Sequence, residues 1–70
     1  MKLFVVKIVC KNGDIGYFKN DEHIVSSKDQ ALKCEFNYMK GLCRGINFAI
    51  NTYEDEFVSH AEIEEVEDAK

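Results

Sequence analysis

The chain has 70 residues, a length that supports one domain with a thin hydrophobic core. Hydrophobic residues make up 46% of it and proline is absent, which excludes the weakly hydrophobic, breaker-rich composition of disordered chains. The longest uninterrupted apolar stretch, Leu3 to Val6, is too short to cross a bilayer, and no leader pattern is present. We therefore expect a single soluble domain in the cytoplasm, without a membrane partner.

The first residues predict a β-hairpin. A β-rich run from Leu3 to Cys10 and an alternating run from Ile15 to Lys19 flank Asn12-Gly13, the strongest short hairpin signal. A two-residue type I′ loop at Asn12-Gly13 pairs Lys11 with Asp14 and fixes the register.

In that register both faces of the hairpin are apolar. One face, which a helix could cover, carries Phe4, Val6, Ile8, Cys10, Ile15 and Tyr17. The other face carries Leu3, Val5, Val9 and Phe18. Residues 23–26 could add a short third strand after the turn cluster at 20–22.

The segment 28–53 has the periodicity of one long amphipathic helix. Ser27 to Gln30 matches a capping box, which predicts a helix start. The apolar positions that follow fall within about 140° of arc at 100° per residue: Ala31, Leu32, Phe36, Met39, Leu42, Cys43, Ile46, Ala49, Ile50 and Tyr53. A solvated face is predicted for Lys33, Asn37, Lys40, Arg44, Asn47 and Asn51.

A second interpretation breaks this helix near Asn37, which could cap a shorter helix and leave residues 33–36 extended. The unbroken helix is favoured. Residues 54–56 end the helical pattern, and residues 57–66 are predicted to form a final edge strand, with His60, Glu62 and Glu64 on one side and a frayed tail at 67–70. The predicted fold is therefore α+β, a small antiparallel sheet packed on one helix in the order β-β-(β)-α-β.

Catalytic and metal-binding patterns are weak. Cys10, Cys34 and Cys43 form an odd set without a Cys-x-x-Cys pair, which is typical of buried thiols in a reducing compartment. His23 and His60 are isolated, and the sequence contains neither a glycine-rich phosphate loop nor His-Glu-x-x-His. We expect a protein that is not an enzyme and that binds no metal or cofactor.

Three surfaces are candidates for contact with a partner. The uncovered hairpin face (Leu3, Val5, Val9 and Phe18) either is closed by the chain itself, through the loop at 23–25 or the final strand, or forms a protein interface. On the helix, Gly41 and Gly45 with Phe48 permit close approach of another element, although tolerated glycines are the simpler interpretation. The third surface is acidic: residues 54–70 carry a charge of −7, against +3 for residues 1–53.

The acidic surface consists of Glu54, Asp55, Glu56, Glu62, Glu64 and Glu65. Such a surface could dock on a basic, nucleic-acid-binding surface of another protein and so mimic a nucleic acid. Direct nucleic-acid binding through lysines and arginine ranks third, because the net charge is −4. The residues it would use are Lys7, Lys11, Lys19, Lys33, Lys40 and Arg44.

In layout, the hairpin around Asn12-Gly13, the segment Ser27 to Leu32 and the acidic final strand resemble small uncharacterised accessory proteins encoded by phages and prophages of low-GC Gram-positive bacteria. Gly41 and Gly45 depart from the Glu- and Ala-rich helix usual in those proteins. The resemblance implies a role in binding and inhibiting a host enzyme or defence complex. The leading prediction is thus a protein-binding accessory module that inhibits a host nucleic-acid-handling or defence protein, and the alternative is a structural or regulatory homo-oligomer such as a homodimer.

Overall fold

The computed structural model describes residues 2–66, which form a four-stranded antiparallel sheet, one 3₁₀ turn and one α-helix. The strands are β1 (Leu3–Cys10), β2 (Ile15–Asn20), β3 (His23–Val25) and β4 (Val58–Val66), in the order β3-β2-β1-β4 across the sheet. The helix, α1, spans Phe36–Tyr53. The predicted α+β fold is confirmed, including the short third strand; the predicted fraying of 67–70 lies outside the described residues.

The loop between β1 and β2 has three residues, so the predicted two-residue type I′ turn is wrong. The Gly13 N–H donates to the Cys10 carbonyl at 3.0 Å, and the Cys10 N–H donates to the Asp14 carbonyl at 2.9 Å. Within residues 2–66 the positive φ angles belong to Gly13, at 97°, and Glu54, so Asn12 lacks the conformation that type I′ needs. Gly13 supplies the one left-handed residue with which a three-residue hairpin loop ends.

The longer loop shifts the pairing of β1 and β2 by one residue. Ile8 lies opposite Gly16 and not, as predicted, opposite Tyr17. Because side chains alternate between faces, this shift exchanges the two faces of β2. Phe18 packs against the core beneath α1, whereas Ile15 and Tyr17 share the opposite face with Val9 and Lys7. We call these the helix face and the outer face of the sheet.

β4 is an edge strand, as predicted, and it pairs with β1 of the same chain, a choice that the sequence left open. Ala61 and Ile63 lie on the helix face, where they pack with the core. His60, Glu62 and Glu64 alternate with them and lie on the outer face. The predicted sidedness of this strand is therefore correct.

The segment predicted as one helix, 28–53, is broken. Ser27 caps only a single 3₁₀ turn, Lys28–Gln30, by accepting a hydrogen bond from the Asp29 N–H at 3.2 Å. Residues 31–35 are not helical, and α1 begins at Phe36 with Glu35 as its N-cap. The alternative with an extended stretch before a shorter helix is closer to the structure, although Asn37 is not the cap.

Backbone pairing explains the break. β2 reaches only as far as Lys7 on β1, which leaves the first residues of β1 without a partner on that side. Phe4 and Cys34 exchange two backbone hydrogen bonds, at 2.8 and 3.1 Å, and the Leu32 N–H donates to the Phe18 carbonyl at 3.1 Å. Residues 31–35 thus pair with the start of β1, beyond the end of β2. Their backbone N–H and C=O groups bond to β1 and β2 there, so they are not available for the hydrogen bonds of a helix.

The hydrophobic core lies between α1 and the two strands β1 and β4. Its buried members are Val6, Ile8, Met39, Cys43 and Ala61. At the start of the helix, the rings of Phe4 and Phe36 meet edge to face with centroids 5.3 Å apart. None of the helices within residues 2–66 is long and apolar enough to cross a membrane.

Asn47 ties the helix to the edge of the sheet, and its predicted place on a solvated face is wrong. Its side-chain NH₂ donates to the Ala61 carbonyl at 2.9 Å, and its Oδ1 accepts from the Ala61 N–H at 2.8 Å. The amide therefore satisfies both backbone groups that Ala61 turns away from β1. An edge strand with its backbone occupied in this way is protected from pairing with another chain.

Cys43 illustrates how the core affects a thiol. Burial raises its pKa, and the nearby Glu62 charge acts in the same direction, while the hydrogen bond from Asn47 opposes them. We expect a thiol-alkylating reagent at pH 7 to modify Cys43 more slowly in the folded protein than the half-buried Cys10, with the difference vanishing in urea. Peptide mass spectrometry gives both rates, and equal rates in the folded protein would contradict the expectation.

Candidate protein-binding groove

An apolar groove of about 330 Å³ opens on the helix face of the sheet, between the C-terminal half of α1 and strands β2 and β3. We call it the α1–β3 groove. Its walls are almost entirely apolar, and its single charged member is Asp55. It is lined by Ile8, Phe18, Ile24, Ile46, Ala49, Ile50, Tyr53, Asp55 and Val58.

The groove exists because one helix is too narrow for this sheet. Strands lie about 4.8 Å apart, so four strands span roughly 14 Å between their outer axes, whereas a helix is about 10 Å across. α1 packs over β1 and β4, and Asn47 holds it at the β4 edge. The helix face of β2 and β3 is therefore left without a helix above it.

Exposed side chains mark the two walls. Ile24 on β3 is 55% exposed and Tyr53 at the end of α1 is 81% exposed. Phe36, Ala49 and Tyr53 were predicted to be buried along the helix stripe, but all three are exposed. The prediction fails for Ala49 and Tyr53 because both side chains line the open groove, where no other element packs on them.

Gly16 leaves room for the Ile24 side chain, which lines the groove. A Cβ atom at this position would lie 2.6 Å from the Cγ2 atom of Ile24, which is closer than real side chains approach. Because glycine leaves this space free, the Ile24 side chain lies across β2. A larger residue at position 16 would have to displace Ile24.

Asp55 closes one end of the groove, after Glu54 ends α1 in the left-handed conformation with φ of 51°. The Asp55 carboxylate accepts hydrogen bonds from the Val58 and Phe57 N–H groups, at 2.7 and 2.8 Å. These bonds hold the pKa of the carboxyl group below its ordinary value, and the charge of Lys11 adds to the effect. Asp55 thus turns the chain from α1 into β4 and leaves the groove with a negative end.

This pKa predicts a pH dependence. A carboxyl group whose pKa is lower in the folded than in the unfolded state stabilises the fold above the unfolded pKa, and loses that contribution as the pH falls through the folded pKa. We expect Asp55→Asn to lower the urea midpoint at pH 7, with the gap to the parent protein narrowing as the pH is lowered to 3. A gap that does not depend on pH would show that the charge on Asp55 is not involved.

The four residues predicted to form an interface on the sheet do not form one surface. Phe18 belongs to the helix face, because of the register shift. Val5 lies on the outer face but is fully buried. Leu3 and Val9 are half-buried.

The chain itself covers Val5. Lys28 forms an ion pair with Glu64 at 2.5 Å, and Glu64 is the cross-strand partner of Val5 on the outer face. The segment that carries the 3₁₀ turn therefore lies over this face, and Ala31, which follows it, is buried. Residues 28–31 thus approach the outer face beside Val5, a segment that the sequence reasoning did not consider; it had considered the loop at 23–25 and the final strand.

Gly41, Gly45 and Phe48 do lie on the exposed side of α1, as predicted. Phe48 is 71% exposed. A Cβ atom added to either glycine would have no neighbour within 4 Å. No contact within residues 2–66 therefore requires a glycine at these two helix positions.

The predicted acidic surface is divided between two parts of the fold. Along β4, three glutamates have lysine partners in the same chain: Glu64 with Lys28, Glu62 with Lys7 at 3.4 Å, and Glu65 with Lys2 at 3.7 Å. Glu54, Asp55 and Glu56 lie apart from them, beyond the end of α1. Neutralisation within the chain weakens the field that a nucleic-acid mimic would need.

Sequence reasoning missed the groove because it took one helix as sufficient to cover one face of the sheet. One helix can cover three strands but not four. The short β-rich run at 23–25, which adds the fourth strand, was the sequence feature that could have revealed this. Within residues 2–66, no cluster of three or more His, Cys, Asp or Glu side chains is arranged to hold a metal ion. Comparisons with protein-family models, with curated proteins and with solved structures found no match to this chain.

Proposed function

We propose that this protein is a non-enzymatic protein-binding module of the cytoplasm and that it holds its partner in the α1–β3 groove. The observation that carries the proposal is the apolar groove itself, left open by a helix that covers only half of a four-stranded sheet. Concave apolar surfaces with a few polar groups at the rim are the usual places where proteins bind partners and ligands. Ile24 and Tyr53 offer the exposed hydrophobic contacts.

Other surfaces of the fold support a partner less well. The outer face carries the Lys7–Glu62 and Lys28–Glu64 pairs, and its most buried apolar residue, Val5, is covered. The β4 edge is occupied at Ala61 by the Asn47 amide. Because the outer face and the β4 edge are occupied by contacts within the chain, the groove is the favoured binding surface.

Two kinds of partner fit the proposal. One is a foreign protein, such as the host nucleic-acid-handling or defence protein implied by the phage resemblance, which would make the module an inhibitor. The other is a second copy of the chain, which would make it a structural or regulatory homo-oligomer. Mimicry of nucleic acid adds little to either, because the acidic residues of β4 are paired.

The proposal is tested by photo-crosslinking in living bacteria. A benzoyl-phenylalanine placed at Ile24 should yield a discrete protein adduct, and mass spectrometry identifies it. The matched control is Ile15, an isoleucine of β2 that is 42% exposed but lies on the outer face. Absence of any protein adduct from position 24, including one between two copies of the chain, would reject the groove as the binding surface.

Mimicry has a separate test on the same complex. Changing Glu62, Glu64 and Glu65 to glutamine should leave the affinity of a groove-bound partner nearly unchanged, since the groove contact is apolar. A large loss of affinity with a flatter salt dependence would instead restore mimicry as the mechanism. Circular dichroism checks that the triple variant remains folded.

A further inference from the structure

We infer that the occupant of the α1–β3 groove is the α1 helix of a second copy of this chain, in a symmetric dimer that buries Phe48 of each copy in the groove of the other. This inference rests on the proposed function and names its partner. The first observation is the position of Phe48. It lies nine residues after Met39, so the two side chains project about 180° apart at 100° per residue.

Met39 is fully buried in the core, and Phe48 is 71% exposed on the opposite side of the helix. Among residues 2–66, nothing packs over this exposed phenylalanine at the centre of a helix face. The α1–β3 groove is apolar and lies, like Phe48, on the helix side of the sheet. In a dimer with a two-fold axis, each Phe48 can enter the groove of the other copy.

The shape of the groove fits a helix. The helix face of β2 and β3 is open over a width of about two strands, which one further helix of about 10 Å diameter would fill. A partner helix placed there lies beside α1, against the flank that carries Ala49 and, one turn earlier, Gly45. The space around Gly45 is open, so the two backbones can approach closely.

The exposed area is sufficient. A large aromatic side chain presents about 150–250 Å² when free. With Phe48 at 71%, Tyr53 at 81%, Tyr38 at 57% and Ile24 at 55%, each copy offers apolar area on the order of 500 Å². A standard interface buries about 800 Å² per partner, of which roughly 60% is apolar, so the available surface matches the requirement.

The test measures self-association of the full chain by sedimentation equilibrium. The monomer concentration runs from about 1 µM to about 1 mM, which covers the dissociation constants expected for interfaces of this size. We expect a monomer–dimer equilibrium that Phe48→Lys and Ile24→Lys each weaken by at least about tenfold. The matched control is Phe57→Lys, since Phe57 is 77% exposed but lies outside the groove. Circular dichroism melting confirms that each variant folds.

Crosslinking of a mixture of ¹⁵N-labelled and unlabelled chains, with benzoyl-phenylalanine at position 48, should join Phe48 of one copy to β3 of the other.

Two results overturn the inference. One is a wild-type chain that stays monomeric at about 1 mM, the top of the concentration range. The other is a dimer that Phe48→Lys leaves intact. These results are distinct from failure of the proposed function. A monomer whose position 24 crosslinks to a foreign protein rejects the second copy but retains the groove as a binding surface. A monomer without any adduct at position 24 rejects both.

Discussion

Replacing Met39 with alanine is expected to lower the free energy of unfolding by about 2–5 kcal/mol. Met39 is fully buried, and it packs with Val6, Ile8, Cys43 and Ala61, which are the remaining buried members of the core cluster. Its removal leaves a cavity where α1 packs on β1 and β4. A domain of this length has a total stability of roughly 4–10 kcal/mol, so the variant should lose a large share of it.

Urea denaturation followed by circular dichroism measures this loss. Met39→Leu preserves the volume of the side chain and should cost less than about 1.5 kcal/mol. Lys40→Ala, at the next and exposed position, should change stability by no more than about 0.5 kcal/mol. If Met39→Ala were no more harmful than Lys40→Ala, the position of the core between α1 and β1 would be wrong.

Loss of the Asn47 amide is expected to cost about 1–3 kcal/mol, since Asn47→Ala leaves the N–H and C=O of Ala61 without their partners at a partly buried site. Asn47→Asp should also be destabilising. One carboxylate oxygen can still accept from the Ala61 N–H, but the other then faces the Ala61 carbonyl, where the amide had donated a hydrogen bond.

Hydrogen exchange gives a local measurement of the same change. The Ala61 amide should exchange faster in Asn47→Ala, beyond what the overall loss of stability explains. Asn51→Ala is the matched control, because Asn51 lies one turn later on α1 and is exposed. Equal effects of the two substitutions on stability and on the Ala61 amide would show that the bridge between helix and strand contributes nothing.

The strands could be predicted because their signals are local. β1, β2 and β4 follow from β-rich or alternating runs, and the sidedness of β4 follows from the alternation of Ala61 and Ile63 with charged residues. The register of the first hairpin could not be predicted in the same way. Asn12-Gly13 is compatible with a two-residue and with a three-residue loop, and the choice decides whether Phe18 faces the helix.

The start of the helix depends on contacts that are distant in sequence. Ala31 and Leu32 satisfy the helical period, but their segment pairs with Phe4 and Phe18, about 14 to 30 residues away, because β2 is too short to accompany β1 along its length. The groove is likewise a property of the assembled sheet. It depends on how many strands lie beside one another, and periodicity within a single segment does not report that number.

The central position of β1 has a consequence for biosynthesis. Of the four strands of this sheet, β1 leaves the ribosome first, yet one of its two neighbours, β4, leaves last, ending at Val66. Until that strand emerges, one side of β1 lacks its hydrogen-bond partner, and the core lacks the side chains of Ala61 and Ile63. Folding of the complete sheet must therefore follow translation of residue 66, and an incomplete chain that stalls before this point would expose an aggregation-prone strand.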